Sequence, residues 1–345
     1  MARRIVGLLI VQLSLCGLVR AADYMIGADL SFLKQAEDRG TIFKDAGQTK
    51  PGLQIFQDHG YNWIRLRLFH TPRQLPNDLE YTKTLAAEAK AMGYKFLLNY
   101  HYSDTWADPA KQFIPAAWEG MSHDELVQAV RQYTRDTMVA FREAGAWPDM
   151  VQIGNEITPG MLWPDGKLPE NWDNFAELLK AGIDGVDAAC GDANRPRIMI
   201  HIDRGGDVTT TKSFFDTLNS HDVAYDVIGQ SYYPWWHGSL LDLRENLAFM
   251  ATTYDKDIVL VEVAYNWRPA EYRGKPAPFP ETPEGQRDFL DEVHRVVLAT
   301  PNRRGIGIFW WEPAVTGNLR SRGMFDDDGN ALPVINVFDK WTRGK

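Results

Sequence analysis

Eight short apolar segments recur along this chain of 345 residues, and they constrain its fold more than any other feature. A segment such as 150–154 (MVQIG) is nearly continuous in apolar residues, which is typical of a strand buried on both faces of a parallel sheet. The full set of expected strands is 25–30, 63–68, 95–100, 150–154, 197–202, 227–231, 258–263 and 307–311.

Between these segments, apolar residues recur every three or four positions, as they do in amphipathic helices. Leu126, Val130 and Phe141 follow this spacing, and SHDE (122–125) has the sequence of a capping box. Eight strand–helix units predict an α/β protein with a (β/α)8 TIM barrel. The alternative is an open doubly wound sheet, but the glycine-rich first turn of that fold is missing. Residues 23–345 are expected to form one domain.

The first 22 residues have the composition of a secretory signal peptide. Arginines at 3 and 4 precede the apolar run 5–19, and the small residues 21–22 suit a cleavage site. The run is short for a membrane span of about 20 residues, so a membrane anchor is the weaker alternative. A lipoprotein signal at Cys16 is disfavoured by the bulky Leu15 before it. We expect a secreted or periplasmic protein that leaves the membrane after cleavage.

Charge and cysteine content limit the partners of the mature chain. Without the signal peptide, 37 basic residues fall to 34 against 46 acidic ones, a net charge near −12. Nucleic-acid binding requires clustered Lys and Arg, so that partner is not expected. Cys190 would be the single cysteine left, which excludes an intramolecular disulfide and requires a large core. We expect a monomer that binds a neutral substrate.

Two glutamates stand at the ends of expected strands, where the reactive groups of a TIM barrel lie. Glu156 directly follows strand 150–154, and Glu262 lies near the end of 258–263. Either one alone is more often a structural carboxyl that is paired, because burying an unpaired charge is costly. Together they suggest glycoside cleavage, which uses two carboxyl groups held at different pKa values.

Longer motifs make the chain similar to a known family. YHYSDTWADP (100–109) and LWPDGKLPENW (162–172) are specific, whereas IGNEI (153–157) is shared by a whole clan. Further matches are GADLS (27–31), NWIRLRL (62–68), IMIHID (198–203), SYYPWW (231–236), VEVAY (261–265), TPEGQ (282–286) and WWEPA (310–314). On these motifs, from about Ile26 to Phe338, the chain resembles glycoside hydrolase family 53, the endo-β-1,4-galactanases.

The resemblance implies a retaining endo-glycosidase, and we expect it to use no cofactor and no metal. Glu156 matches the general acid/base of the family and Glu262 its nucleophile. The implied substrate is the β-1,4-galactan of type I arabinogalactan in plant cell-wall pectin, cut at internal bonds through a covalent glycosyl-enzyme. A retaining pair has its carboxyl groups about 5–5.5 Å apart.

The same motifs imply the substrate contacts. Asn155 should bind the sugar 2-hydroxyl, and Arg65 or Arg67 should keep Glu262 ionised, with Arg65 the better match. Trp311 is the candidate platform under the −1 sugar. The other expected contacts are His101, Asp104, Trp106, Asp203, Tyr232, Tyr233 and Trp235. The sequence leaves open which of the two tyrosines orients the nucleophile, and whether Trp235 or its neighbour Trp236 serves an adjacent subsite.

Three other functions are compatible with parts of the sequence. A metal-dependent hydrolase would use His101, Asp104, His201 and Asp203, although no tight metal-ligand spacing is present. A non-catalytic glycan-binding protein is disfavoured because both glutamates are present. A clan relative that acts on mannan, glucan or arabinan is the strongest alternative, because specificity depends on loop detail.

The acidic loop 325–333 (FDDDGNALP) resembles a cation-binding loop only in part, because it lacks the downstream glutamate of an EF-hand. We expect a solvated turn there.

Overall fold

The computed structural model describes residues 24–269, 274–275, 277–315 and 317–342. The expected signal peptide, residues 1–22, lies outside the described residues. Within those ranges, none of the helices combines the length and the apolar character that a bilayer span requires.

Eight parallel strands close into a barrel, so the prediction of a TIM barrel is confirmed and the open doubly wound sheet is wrong. The strands are β1 (Met25–Asp29), β2 (Trp63–Leu68), β3 (Lys95–Tyr100), β4 (Met150–Ile153), β5 (Arg197–Ile202), β6 (Val227–Tyr232), β7 (Asp257–Val263) and β8 (Gly305–Trp311). Each strand pairs with its sequence neighbours, and β1 pairs with both β2 and β8, which closes the ring.

Helices follow the strands and cover the outside of the barrel. They are α1 (Leu33–Asp38), α2 (Gly52–Asp58), α3 (Leu79–Ala91), α4 (His123–Glu143), α5 (Trp172–Cys190), α6 (Val208–Ser220), α7 (Leu240–Thr253), α8 (Pro283–Leu298) and α9 (Asp339–Thr342). The expected capping box opens α4, since the Ser122 backbone N–H donates to Glu125 at 2.8 Å. The apolar positions predicted for this helix, Leu126, Val130 and Phe141, are buried against the barrel.

Short 3-10 turns and two hairpins complete the described chain. The 3-10 turns are Ala116–Trp118, Pro301–Arg303, Gly317–Arg322 and Pro333–Phe338. The hairpins pair Lys44–Asp45 with Gln48–Thr49 and Gly160–Met161 with Gly166–Lys167.

The barrel interior consists of an apolar layer below a polar one. The apolar layer is formed by Met25, Trp63, Leu97, Met150, Met199, Val227, Val259, Val261, Ile306 and Phe309. Nearer the carboxyl ends of the strands, seven strands each contribute one polar side chain to a hydrogen-bonded layer: Asp29, Arg65, Asn99, Gln152, His201, Ser231 and Glu262. A polar layer at this end places reactive groups where barrel enzymes carry out their chemistry.

The acidic loop 325–333 forms a tight turn, as expected. The Asp326 carboxylate accepts hydrogen bonds from the backbone N–H groups of Asp328 and Asn330, at 2.9 and 2.8 Å. Asp327 pairs with Arg268 on a neighbouring loop. The carboxylates at 326 and 327 are therefore engaged by the protein itself.

Candidate active site

A cavity of about 720 Å³ opens at the carboxyl ends of the strands, and both expected catalytic glutamates face it. Its lining comprises Arg65, Arg67, His101, Trp106, Ala107, Asp108, Pro109, Ala110, Asn155, Glu156, Asp203, Arg204, Tyr233, Trp236, His237, Glu262, Trp311 and Arg322. Ten of the thirteen site residues expected from the sequence are in this lining.

Each carboxyl oxygen of Glu262 accepts a hydrogen bond from a different part of the barrel. The Arg65 guanidinium donates to one oxygen at 2.7 Å, and the Tyr233 hydroxyl donates to the other at 3.0 Å. Burial, together with the neighbouring carboxyl groups, raises the pKa of Tyr233 well above its usual value, so the phenol remains a neutral donor. Both oxygens of Glu262 are thereby fixed in orientation.

Arg65 connects this carboxylate to the rest of the polar layer. Its guanidinium also bonds Asp29 at 3.0 Å, the Gln152 side-chain oxygen at 3.1 Å and the Asn155 side-chain oxygen at 2.8 Å. Buried charges of opposite sign thus compensate each other, which a buried arginine requires. Of the two arginines, Arg65 makes the contact with Glu262 that the sequence left unassigned.

Arg67 has a different environment, although it lies on the same face of β2. It pairs with Asp29 at 3.0 Å and with Glu312, and its guanidinium lies 4.3 Å from the centre of the Trp106 ring. A guanidinium stacked on an aromatic face is favourable electrostatically. Arg67 therefore supports the aromatic wall of the cavity, and within the described part of the chain its hydrogen bonds do not include one to Glu262.

Glu156 lies in a less polar environment than Glu262. Burial comes first, followed by repulsion from Glu262 and Asp203, and together they raise the pKa of Glu156 well above the usual value of a glutamate. Among the described residues, the Glu156 side chain accepts one hydrogen bond, from the Ser231 hydroxyl at 2.7 Å. The two glutamates therefore have different environments, as two carboxyl groups with different roles would need.

Asn155 and His101 are positioned by bonds that leave them facing the cavity. The Asn155 side-chain oxygen accepts from Arg65 and Asn99, and its nitrogen donates to the backbone oxygen of Ala107 at 2.9 Å. One N–H of this amide remains for a ligand. Burial and then the nearby arginine charges hold the pKa of His101 well below its usual value, so this ring is neutral.

Aromatic rings form the walls of the cavity. Trp106 and Trp311 lie 6.2 Å apart between ring centres, and Trp311 is edge-on to Tyr233 at 6.4 Å. Trp236 is about half exposed at the rim, with 48% of its surface accessible. Flat apolar surfaces next to buried hydrogen-bonding groups suit a sugar chain.

Three expected substrate contacts lie outside the cavity lining. Tyr232 points toward the helices, where its hydroxyl donates to the Gly238 backbone oxygen and its ring stacks on Phe289. Successive residues of a strand face opposite sides, so Tyr232 and Tyr233 cannot both face the interior.

Asp104 is the second of these residues, and its carboxylate accepts hydrogen bonds from the backbone N–H groups of Thr71 and Ala116. Asp104 therefore braces two loops.

Trp235 is the third expected substrate contact that lies outside the cavity lining. Its ring is buried and stacks on Tyr265 at 5.6 Å, behind the residues that face the cavity. Trp236 takes the exposed position at the cavity rim instead, so it is the better placed of the two tryptophans to contact a ligand.

The structure also adds residues that were not expected from the sequence. Arg204, His237 and Arg322 line the cavity, as do residues 107–110 after β3. Gln152 and Ser231 lie beneath it in the polar layer. In the sequence, Gln152 and Ser231 are polar residues within otherwise apolar strands. That pattern indicates a site residue only once the inward face of each strand is known.

The residues proposed for a metal site do not come together. Among the described residues, the group with metal-ligand spacing is Glu156, His201 and Glu262, whose ligand atoms lie within 4.8 Å of one another. His101, Asp104 and Asp203 are not part of it. Both ring nitrogens of His201 and both oxygens of Glu262 are already hydrogen-bonded within the protein. His201 and Glu262 therefore belong to the hydrogen-bonded polar layer of the barrel, and Glu156 bonds to that layer through Ser231.

A (β/α)8 barrel whose cavity holds two glutamates of unequal environment between aromatic walls has the arrangement of a glycoside hydrolase. The family model described as Glycosyl hydrolase family 53 matches residues 25–338, and the chain belongs to that family.

Relatives agree with this assignment over most of their length. A protein of Aspergillus terreus named probable arabinogalactan endo-beta-1,4-galactanase A is 38% identical over 323 residues, covering 89% of this chain and 90% of the relative. An arabinogalactan endo-beta-1,4-galactanase of Thermothelomyces thermophilus is 35% identical and covers 91% and 98%. The solved GH53 catalytic domain of Ignisphaera aggregans superposes with a TM-score of 0.86 at 34% identity, covering 92% of this chain and 95% of that one.

Proposed function

We propose that this glycoside hydrolase is a retaining endo-β-1,4-galactanase, with Glu156 as general acid/base and Glu262 as nucleophile. The observation that carries the mechanism is the spacing of the two carboxyl groups, which bring ligand oxygens within 4.8 Å of each other. Inverting enzymes leave about 6.5–9.5 Å between their carboxyl groups to admit a water molecule, and retaining enzymes about 5–5.5 Å. The short spacing supports direct attack on the sugar.

In the first step, a Glu262 oxygen attacks the anomeric carbon of the −1 galactose and forms an ester bond. The glycosidic C–O bond breaks, and its electron pair stays on the leaving oxygen, which takes the proton of Glu156. The raised pKa of Glu156 keeps that proton available at pH values where an ordinary glutamate is already ionised. Arg65 and Tyr233 hold Glu262 in place for the attack.

In the second step, Glu156 takes a proton from water, and the resulting hydroxide attacks the anomeric carbon and displaces Glu262. Ester formation has meanwhile removed the negative charge of Glu262. That charge is one cause of the raised pKa of Glu156, so the pKa falls when a base is needed. Two displacements at one carbon retain its configuration.

The remaining lining residues support a role in sugar binding. The unused N–H of the Asn155 amide is available to the 2-hydroxyl of the −1 sugar, whose hydrogen bonds strengthen in the transition state of glycosidases. Trp311 provides the platform beneath that sugar. His101, Trp106 and Asp203 complete the walls.

The substrate we propose is the β-1,4-galactan of type I arabinogalactan in plant cell-wall pectin, cut at internal bonds by an exported monomeric enzyme. The names of the relatives support the galactan, and the N-terminal sequence supports export.

The test is a product assay on linear β-1,4-galactan, with β-1,4-mannan and β-1,4-glucan as controls and Glu262→Ala as the inactive reference. Galactan should yield oligosaccharides of several lengths from the earliest times, and ¹H NMR should show the β-anomer first. Faster cleavage of mannan or glucan would assign another substrate. An α-anomer as the first product would contradict the retaining mechanism.

A further inference from the structure

From the contacts around Glu156 we infer that Ser231, oriented by His201, is a positioning residue that confines the catalytic proton to the Oε2 atom of Glu156. This inference rests on the proposed role of Glu156 as general acid/base. It assigns a role to two buried residues that lie beneath the cavity and are absent from its lining.

The tautomer of His201 is fixed by two donors. The Gln152 side-chain nitrogen lies 3.1 Å from Nδ1 of His201, and the backbone N–H of Glu156 points at the same atom from 3.4 Å. Because both groups can only donate, Nδ1 is an acceptor and carries no hydrogen. Burial, with the charge of Arg65 next in size, holds the pKa of His201 well below its usual value. The ring is therefore neutral, with its single hydrogen on Nε2.

This hydrogen determines the direction of the Ser231 hydroxyl. His201 Nε2 lies 2.9 Å from Ser231 Oγ and donates to it, so the hydroxyl hydrogen must point elsewhere. Glu156 Oε1 accepts that hydrogen at 2.7 Å. The result is a directed chain of donors from His201 through Ser231 to one oxygen of the glutamate.

A proton on Oε1 of Glu156 would break this chain. It would have to donate to Ser231 Oγ, and the serine hydrogen would then have no acceptor, because Oγ contacts only His201 and Glu156 among the described residues. Leaving a buried hydroxyl without a partner is costly. The catalytic proton therefore resides on Oε2, the oxygen that Ser231 leaves free for the glycosidic bond.

The same donor stabilises Glu156 when it is ionised, as it must be in the second step. A hydrogen bond to a charged group favours that charged form. Removing the hydroxyl with Ser231→Ala should raise the pKa of Glu156 by about 1 unit, the size expected for one such bond. In the glycosyl-enzyme, more of the Glu156 population would then be protonated and unable to act as base.

The experiment measures two pH profiles for the wild-type enzyme and Ser231→Ala. On linear galactan, the basic limb of kcat/KM should move up by about 1 pH unit in the variant. On an activated aryl galactobioside, where the second step limits the rate, the acidic limb of kcat should move up too, with a loss of about tenfold below that pKa. Ser231→Thr keeps a hydroxyl and should restore both profiles.

A matched control removes a buried hydroxyl elsewhere. Thr137 bonds the Tyr100 hydroxyl at 2.6 Å between α4 and β3, outside the cavity. Thr137→Val should lower the melting temperature without moving either limb. Unmoved limbs in Ser231→Ala, or an equal loss of rate at every pH, would overturn the positioning role. Failure of the acid/base assignment has a separate signature, since Glu156→Gln would then keep the basic limb of the wild-type enzyme.

Discussion

The two glutamates that we propose as catalytic lie close enough for the charge of Glu262 to raise the pKa of Glu156, and Glu262→Gln measures that coupling. With ligand oxygens within 4.8 Å of each other, two unit charges repel by about 3 kcal/mol at an effective dielectric constant near 20. That energy corresponds to about 2 pKa units. Arg65 neutralises part of the Glu262 charge, so we expect the variant to lower the pKa of Glu156 by about 1–2 units.

The assay is ¹³C NMR of enzyme labelled at the glutamate side-chain carboxyl carbon, titrated with and without the substitution, with Glu156→Gln identifying the resonance. The pKa should fall but remain above that of a free glutamate, because burial is the larger cause of its elevation. A change smaller than about 0.3 units would show that burial alone sets the pKa. The argument that ester formation on Glu262 converts Glu156 from acid to base would then fail.

Four further outcomes test the site, the fold and export. Glu156→Gln should lower turnover of galactan by about 10²–10⁴ and remove the basic limb on an activated aryl galactoside, as pH–rate profiles would show. Glu262→Ala should be inactive until azide is added, and NMR should then show the inverted azide product. Arg65→Met removes the cation that pairs with Glu262, whereas Asp29 keeps its pair with Arg67, and the variant should cost about 3–5 kcal/mol in urea unfolding. N-terminal sequencing of the exported protein should begin near Ala22 or Asp23, and retention of the first 22 residues would contradict the signal peptide.

The barrel could be predicted from the sequence because strands that are buried on both faces appear there as short, nearly continuous apolar segments. Strands β2, β3 and β5 have the predicted bounds, and the other strand ends differ by no more than two residues. The helices are similarly visible through their capping residues and apolar spacing, as in α4. These signals are local, so no knowledge of distant contacts is needed to detect them.

Contacts between strands were harder to predict. The sequence did not show whether Tyr232 or Tyr233 contacts Glu262, because the answer depends on which face of β6 points inward. Val227 belongs to the interior layer, and alternation from it places Ser231 and Tyr233 on the same face. The position of Asp104 outside the cavity lining was hard to predict for a related reason, since a carboxylate in a loop binds backbone N–H groups as readily as a sugar.

The two glutamates that we propose as catalytic lie where the backbone departs from regular geometry. Val261 lies in the apolar interior, so strict alternation would turn Glu262 outward. A β-bulge intervenes: Gln230 of β6 pairs with Leu260, and Ser231 pairs with Glu262. The extra residue lets both Val261 and Glu262 face inward, and re-aiming a side chain in this way is a recognised use of bulges beside active sites.

Glu156 reaches the cavity by a different irregularity. Its φ of +48° is unfavourable for a residue with a side chain. Such a conformation costs about 1–3 kcal/mol and persists only where surrounding contacts enforce it. The backbone N–H of Glu156 donates to His201, and its carboxyl group accepts from Ser231. These contacts with the polar layer hold the backbone of Glu156 in this conformation. The spacing of apolar residues predicts the regular part of the barrel. Both glutamates that we propose as catalytic occupy positions where the regular geometry is broken, and only the motifs around them indicate such positions in a sequence.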